Sequence, residues 1–340
     1  MSLFLVTGAN GWLGSQLVRT LVDLNSKSHI RCLVQPGTDT KVLRSILKDL
    51  EIIEGDLRNC TSLEAFFKGA SQAGLFHCAG LIHPKHSIKE FYDVNVQGTE
   101  NLLMAAENLK VRRAVIVSSN SPIGISRDRH ILFDENSPYN PYMNYGRSKM
   151  LMEKSVHSYQ KRGNLETVIV RAPWFYGPGQ PPRQTLFFSM IKNGKAPIVG
   201  DGNNLRSMAY LENLCQGLIL CEKVKEANGQ TYWISDESPY TTNEIVNTIE
   251  KLLEKEFNIP VAHKRLRLPD FVSEIAMGMD WFLQSIGLYH QKIHVLSEMN
   301  KNIACSIEKA KKELGYNPKI ALEEGMLRSI KWCLENGHVI

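Results

Sequence analysis

The chain has 340 residues, 43% hydrophobic and 22% charged, enough for one large or two moderate domains around a packed core. Its formal net charge of +5 is spread out, with short basic clusters at Lys309-Ala310-Lys311-Lys312 and His263-Lys264-Arg265-Leu266-Arg267, so no nucleic-acid partner is expected, while anionic small molecules remain suitable ligands. No apolar run reaches the ~18 residues of a transmembrane segment, and Cys32, Cys60, Cys78, Cys215, Cys221, Cys305 and Cys333 lack C-x-x-C spacing, which reads as buried, reduced thiols of a cytoplasmic protein.

Short apolar runs alternate with helical periodicity through the first half of the chain. The first run, Leu3 to Thr7, starts too near the beginning for a charged and apolar leader to precede it, so no signal peptide is expected. It enters the turn Thr7-Gly8-Ala9-Asn10-Gly11-Trp12-Leu13-Gly14 and then an apolar-periodic helix, Leu17 to Leu24. In this strand-turn-helix setting Gly8 permits a tight turn, Gly11 lets backbone approach a pyrophosphate, and Gly14 allows close helix-on-strand packing. The free N–H groups at the helix start suit phosphate. Asn10, Trp12 and Leu13 belong to the same candidate cofactor-binding turn.

Further strands are predicted at His29 to Val34, Glu51 to Glu54, Leu75 to Cys78, Ala114 to Ser118 and Glu166 to Arg171. Their βαβ alternation predicts an α/β fold: a Rossmann doubly wound parallel sheet with right-handed crossovers and a ligand crevice at the carboxyl ends of the strands. At the end of the second strand, an acidic residue would bind a ribose 2′-hydroxyl and an arginine would suit a 2′-phosphate. Gln35 stands there instead. Lys41 and Arg44 lie near enough in sequence to meet a phosphate, Asp39 argues the reverse, and NAD and NADP both remain open.

After Arg171 the pattern loosens into Tyr176-Gly177-Pro178-Gly179-Gln180-Pro181-Pro182, a crossing into a second lobe. Helices are predicted near Thr185 to Lys192, over Leu211 to Glu222 and over Thr242 to Glu256, the last opening on a threonine cap. Gln230 to Ser235 reads as a strand returning to the sheet. The expected organisation is a dinucleotide-binding domain over 1–178 joined by 206–236, and a smaller, interleaved substrate lobe from 179–205 and 237–340.

Tyr145 and Lys149, four apart in Tyr145-Gly146-Arg147-Ser148-Lys149, share one face of a helix. That spacing suits proton transfer, because an adjacent ammonium brings a phenol of ordinary pKa about 10 toward the working range. The strand ending in Ser118-Ser119-Asn120-Ser121 sets hydroxyls at the sheet's carboxyl edge, where a substrate oxygen could be hydrogen-bonded as charge develops. Ser119 is the chosen donor, and Ser121 a candidate substrate contact.

The ordered set formed by the glycine turn, Gly55-Asp56-Leu57, His77-Cys78-Ala79-Gly80, Val94-Asn95-Val96-Gln97-Gly98-Thr99, Ser118-Ser119 and Tyr145 to Lys149 resembles the extended short-chain dehydrogenases/reductases of the NAD-dependent epimerase/dehydratase superfamily. Arg171-Ala172-Pro173-Trp174-Phe175-Tyr176-Gly177-Pro178-Gly179 resembles their later segment, and the likeness covers nearly the whole chain. It implies Tyr145 as general acid/base, Lys149 as its ribose-binding partner and Ser119 as the group that polarises the substrate oxygen. It further implies Asp56 and Leu57 beside the adenine, Ala79 and Gly80 along the dinucleotide, Asn95 supporting the site and Pro173 beside the nicotinamide.

Two activities fit that resemblance. One is a dehydrogenase or reductase of a secondary alcohol or ketone, similar to the 3β-hydroxysteroid dehydrogenase-like branch. The other is a nucleotide-sugar epimerase or dehydratase that recycles a retained NAD. Arg206 matches an arginine that holds diphosphate in the sugar enzymes. Trp174 stands where those enzymes usually carry asparagine and offers a flat apolar contact instead. Ser118-Ser119-Asn120 also lacks the dehydratase threonine-aspartate-glutamate set. A non-catalytic, NADP-binding regulatory protein is a lesser alternative. The apolar stretch Leu268 to Leu283 reads as the wall of a hydrophobic substrate pocket or a helix packed inside the second lobe, with a membrane-surface contact also open. His83 and His86, without a further ligand cluster, read as loop residues near the substrate, and no metal is expected. Leu102-Leu103-Met104 and Met150-Leu151-Met152 could pair across a two-fold in a homodimer.

Overall fold

A computed structural model describes residues 3–24, 29–126 and 128–340. The first half carries strands β1 (Leu3–Thr7), β2 (His29–Val34), β3 (Glu51–Glu54), β4 (Gly74–His77), β5 (Arg113–Ser119) and β6 (Glu166–Ala172). Between them run helices α1 (Trp12–Leu24), α2 (Lys41–Ile46), α3 (Glu64–Phe67), α4 (Lys89–Tyr92), α5 (Gly98–Asn108) and α6 (Met143–Arg162). The second half follows with β7 (Trp174–Tyr176), α7 (Pro182–Lys192), β8 (Pro197–Val199), β9 (Leu205–Arg206), β10 (Met208–Tyr210), α8 (Leu211–Lys223) and β11 (Thr231–Trp233). It ends with β12 (Tyr240–Thr241), α9 (Thr242–Lys255), β13 (Leu266–Leu268), α10 (Phe271–Ser285), α11 (Gln291–Glu298), α12 (Glu308–Leu314) and α13 (Leu322–Glu335).

Seven strands form one sheet in the order β11-β6-β5-β4-β1-β2-β3, and every pairing is parallel. This is the doubly wound arrangement expected from the alternation, with its chain reversal between β1 and β4, where the crevice of such a sheet opens. Successive strand residues serve opposite faces. Val6, Val115, Val168 and Val170 join a core with α1 and α8, while Leu5, Ala114, Ile116 and Ile169 join another with α3, α5 and α6. Strand β11 lies on β6 with Thr231 opposite Ile169, so the predicted returning strand is part of the sheet.

The second lobe has its own core. Phe188 and Ile191 of α7, Ile245 and Ile249 of α9, and Met326 and Ile330 of α13 pack together with Tyr176 and Tyr210. Helix α9 opens on a capping box, in which the Thr241 hydroxyl accepts from Glu244 N–H and the Glu244 carboxylate accepts from Thr241 N–H. Ile307, Ala310, Leu314 and Tyr316, around α12, pack instead with α1 and α8 on the large sheet. The last third of the chain therefore serves both cores.

Leu102, Leu103 and Met152, considered above as pairing residues, are fully buried within the chain, and Met104 faces outward. Their inward packing on β4 and β5 accounts for the apolar pattern. Six of the seven cysteines are buried or half-buried, and Cys60 is exposed. Among the described residues no helix is long and apolar enough to cross a membrane.

At the glycine turn a Cβ on Gly14 would stand 2.1 Å from the Gly8 carbonyl oxygen. Gly14→Ala is expected to lower the unfolding free energy by about 1–3 kcal/mol. Gly278→Ala, where an added Cβ meets nothing within 4 Å, should gain about 0.5–1 kcal/mol from helix propensity. Chemical-denaturation midpoints of the two variants check both signs.

Candidate active site

The glycine turn is shaped by what it cannot hold. Gly8 has φ +64°, and a Cβ there would lie 2.6 Å from Ala79 N, so β1 and the end of β4 approach each other across this residue. Gly11 N–H donates to Gly8 carbonyl at 2.9 Å, which closes the turn before α1 begins at Trp12. Trp12 Nε1–H donates to Pro178 carbonyl at 2.7 Å, and its indole lies 5.1 Å from the Phe175 ring. Leu13 and Gly14 are buried on the first turn of α1. Asn10 Oδ1 is buried with no hydrogen-bond partner among the described residues. An unfilled acceptor, a left-handed glycine and the start of a 13-residue helix at one strand end together fit a dinucleotide.

Along the carboxyl edge, Gln35 is exposed directly after β2, in a turn closed by Thr38 N–H to Gln35 carbonyl at 3.1 Å. Arg44 donates to the Lys48 and Leu50 carbonyls at 3.1 and 2.7 Å, and Lys41 pairs with Asp39 at 3.5 Å. After β3 the Asp56 carboxylate is held by Arg58, whose hydrogen bonds lower its pKa against burial. Leu57 is buried, and its carbonyl accepts from Asn101 Nδ2 at 2.8 Å.

A buried polar chain connects β1 to α6. Thr7 Oγ1 meets His77 Nδ1 at 2.7 Å, His77 Nε2 meets Thr99 Oγ1 at 2.9 Å, and Thr99 donates to Asn95 carbonyl at 2.8 Å. Asn95 lies on a π-helical turn, Asp93–Gln97. Its amide grips Leu81, accepting from its N–H at 2.8 Å and donating to its carbonyl at 3.0 Å, and also donates to Ser148 Oγ at 3.0 Å. Ser148 donates to Tyr145 carbonyl at 2.8 Å. Gly80 faces this group, since a Cβ on it would lie 3.5 Å from Asn95 Oδ1 and 3.6 Å from Lys149 Nζ.

Helix α6 sits directly on the loop after β5. Tyr142 N–H donates to Ser121 carbonyl at 3.0 Å, and a Cβ on Gly146 would fall 2.5 Å from that same oxygen. The close approach brings Tyr145 to Ser119 and Ser121, whose hydroxyls are 3.3 Å apart. Burial pushes the Tyr145 phenol up to about 12; a hydrogen bond with Ser119 lowers it, Glu298 raises it and Arg183 lowers it. Lys149 is buried, and its ammonium donates to Val117 carbonyl at 2.8 Å and lies 3.3 Å from Met152 Sδ. Desolvation lowers that ammonium to about 8, with Glu153 opposing. The Lys149 side chain reaches the β5 backbone, and Arg183 is a further cation near the phenol, lowering it slightly.

One turn beyond Lys149, the fully buried Glu153 carboxylate receives Ser118 Oγ at 2.6 Å, Tyr139 OH at 2.8 Å, and Arg171 Nε and Nη2 at 3.2 and 2.8 Å. Arg171 is also buried, on β6. Pairing of this quality is what makes two enclosed charges tolerable.

The second lobe closes the far side. Pro173 joins β6 to β7, and the half-buried Trp174 lies edge-on to Phe187 at 6.1 Å. Arg206, on β9, directs Nη2 to Glu298 carbonyl, so its guanidinium is engaged with α11. The Phe91 ring lies tilted against Tyr145 at 5.8 Å and edge-to-face with Tyr289 at 5.7 Å. His83 bonds Tyr289 OH through Nδ1 at 2.7 Å and meets Arg183 through Nε2. Burial and the Arg183 charge lower His83 to about 4, which leaves Nε2 a neutral acceptor.

Residues 4–235 match the model of the NAD dependent epimerase/dehydratase family. The chain belongs to this family. It is 50% identical over 344 residues to an uncharacterized protein of Sinorhizobium fredii, covering 98% of this chain and 96% of that one. It is 28% identical to the 3beta-hydroxysteroid-dehydrogenase/decarboxylase isoform 1 of Arabidopsis thaliana, over 96% of this chain and 78% of the relative. The solved dTDP-glucose 4,6-dehydratase of Bacillus anthracis in complex with NAD shares the fold, with TM-score 0.79 and 22% identity over 99% of this chain and 97% of that one. Members of this family are NAD-dependent enzymes that include dehydrogenases, epimerases and dehydratases.

Three features of the site escaped sequence reasoning. Glu153 continues the four-residue spacing of Tyr145 and Lys149, a signal available in the sequence. Arg183 and Tyr289 carry none, because they meet His83 from separate helix starts more than 90 residues away.

Two measurements probe the buried groups. Glu153→Ala leaves Arg171 unpaired and should cost about 3–5 kcal/mol, while Glu153→Ala with Arg171→Met should recover most of it, as read from denaturation curves. His77 has its pKa lowered to about 3 by burial and by Lys149. As pH falls below its unfolded value of about 6.5, the unfolded chain takes the proton first. The neutral His77 therefore contributes fully above that pH and progressively less down to about 3. Replacement by Asn should flatten the dependence of unfolding free energy on pH within that window.

Proposed function

We propose that the chain is an NAD(P)-dependent oxidoreductase that moves a hydride between nicotinamide and a secondary alcohol or ketone. The observation that carries this reading is the seating of α6 on the loop after β5, with Tyr142 N–H on the Ser121 carbonyl at 3.0 Å, which sets Tyr145 near Ser119 on the sheet edge that also carries the glycine turn after β1. When bound, the dinucleotide supplies the hydride acceptor or donor. Gly8, Asn10, Gly11, Trp12, Leu13 and Gly14 would hold its phosphates, with Gln35, Asp56 and Leu57 toward the adenosine end. Ala79, Gly80, Asn95 and Pro173 would line its course. The proposed units are 1–178 with 206–236 for the dinucleotide and 179–205 with 237–340 for the substrate.

In this reading Tyr145 exchanges a proton with the substrate oxygen, Ser119 donates a hydrogen bond to that oxygen, and Lys149 binds the ribose. A phenol held high by burial is a ready proton donor to a developing alkoxide. For the reverse direction, the Ser119 hydrogen bond and the Arg183 charge favour the phenolate. Ser121 and Trp174 would contact the substrate. The rings of Phe91, Trp174 and Tyr289 around the phenol and at the second lobe suit a hydrophobic substrate.

The alternative, a nucleotide-sugar epimerase or dehydratase on retained NAD, would use Arg206 against a diphosphate. In the present arrangement that guanidinium bonds the Glu298 carbonyl. The stretch Ser118-Ser119-Asn120 also supplies no carboxylate.

Mass spectrometry of the denatured, purified protein tests the choice. The expected result is no stoichiometric dinucleotide, with reversible binding of added NAD or NADP; tightly retained NAD would instead favour the epimerase or dehydratase. Tyr145→Phe should reduce turnover by about 10²–10⁴-fold with dinucleotide affinity unchanged. Persisting turnover would refute Tyr145 as the acid/base.

A further inference from the structure

Helix α10 turns a polar stripe inward. Its buried residues are Ser273, Ala276, Asp280 and Gln284, spaced along one side of the helix. Asp280 accepts from Gln284 Nε2 at 2.9 Å through one oxygen and bonds His294 Nδ1 at 2.7 Å through the other. A carboxylate only accepts, so it fixes which end of the Gln284 amide faces it. The other end, Oε1, is thereby directed at α6. It accepts from Asn144 N–H at 3.0 Å and from Asn144 Nδ2 at 2.9 Å, while Asn144 Oδ1 accepts from Tyr92 OH at 2.6 Å.

Asn144 is the residue before Tyr145, and the backbone is strained just ahead of it. Met143 has φ +51°, in the left-handed region that residues with a Cβ rarely adopt. On the other side of Met143, Tyr142 N–H donates to Ser121 carbonyl at 3.0 Å, and Tyr142 OH meets Ser297 Oγ at 2.7 Å. Ser297 gives its own proton to His294 carbonyl at 2.7 Å, so the Tyr142 hydroxyl is the donor. A residue in such a conformation persists where its flanks over-determine it. Here both flanks carry bonds to α10 or α11. An N–H at the start of a helix has no acceptor within that helix, and Gln284 supplies one from 140 residues further along the chain.

We propose that Gln284 is a positioning residue for Tyr145: from the second lobe it holds the left-handed entry to α6 and so fixes the direction in which the phenol leaves the first turn toward Ser119. Asp280 and His294 act one step further back, by holding the Gln284 amide. Without the Oε1 acceptor, Asn144 N–H loses its partner and Met143 is free to return to an ordinary backbone conformation, which turns the residues that follow. Gly146 and Glu153 hold the rest of α6, so the change stays in its first turn. Proton transfer needs the phenol within hydrogen-bond reach of the substrate oxygen, and a turned ring loses that reach while the fold remains. This role rests on the reading of Tyr145 as the acid/base, and the ring's place is measured without turnover.

The full chain is labelled with 3-fluorotyrosine, and the Tyr145 fluorine resonance is the one missing from Tyr145→Phe. Gln284→Met, close in length and without donor or acceptor, should displace that resonance or divide it in two, while the signals of Tyr232 and Tyr316, buried against the large sheet, stay in place. Gln284→Asn, one methylene shorter, serves the same purpose should Gln284→Met fail to fold. Gln284→Glu with Asp280→Asn exchanges donor and acceptor across the pair at the same total charge, still presents an acceptor to Asn144 and to His294, and should return the Tyr145 resonance to its wild-type position. A resonance that stays in place when Gln284 is replaced, with only the thermal midpoint lowered, overturns the proposal, since Gln284 would then be a structural bond alone. So does a displaced resonance that the exchanged pair fails to restore. Turnover persisting in Tyr145→Phe would instead refute the acid/base reading beneath it, an outcome on which the resonance does not depend.

Discussion

The position of α6 depends on one buried carboxylate. Glu153 is enclosed among Ser118, Tyr139 and Arg171, and each neighbour donates to it. A buried charge tolerates little displacement, because any lost donor leaves charge unsolvated in a medium of low dielectric. The carboxylate thereby ties the middle of α6 to the end of β5 and to β6. At the near end, Gly146 lets the helix backbone rest on the Ser121 carbonyl. Between these two fixed points the helix has no freedom to slide, and Tyr145 and Lys149 inherit their places from it.

A second polar line runs from β1 to α6. The His77 imidazole, neutral and fully enclosed, bridges Thr7 on β1 and Thr99 on α5, and Asn95 carries the connection on to Ser148. The π-helical turn at Asp93–Gln97 is the local irregularity that accommodates Asn95 in this line. The end of β1 before the glycine turn and the start of α6 are thus parts of one hydrogen-bonded body.

Much of the fold was legible because its signals are local. Strand runs such as Leu3 to Thr7 and His29 to Val34, and the glycine turn between strand and helix, each declare themselves within a few residues. The four-residue spacing of Tyr145 and Lys149 places both on α6, yet spacing fixes the face of a helix and leaves the path of a long side chain open. That is why the Lys149 ammonium could turn to Val117 unforeseen. The apolar stretch at Leu268 to Leu283 reads in the sequence as a pocket wall, an inward-packed helix or a membrane-surface contact. The inward side proved to be the polar one, because Asp280 and Gln284 find partners on α11 and α6 that no local pattern announces. Arg183 reaches the phenol's surroundings through tertiary contact alone.

Trp12 has a wider reach than its place in the turn suggests. Its indole bonds Pro178 and packs on Phe175, so one side chain spans from the start of α1 to the segment that leads into the second lobe. A ligand gripped by the turn and a ligand gripped by residues 174–179 would bias the same contact. Linkage makes such an influence mutual: whatever affinity the first lends the second, the second returns in equal measure. Through a single indole, occupancy of one half of the crevice would bear on the other.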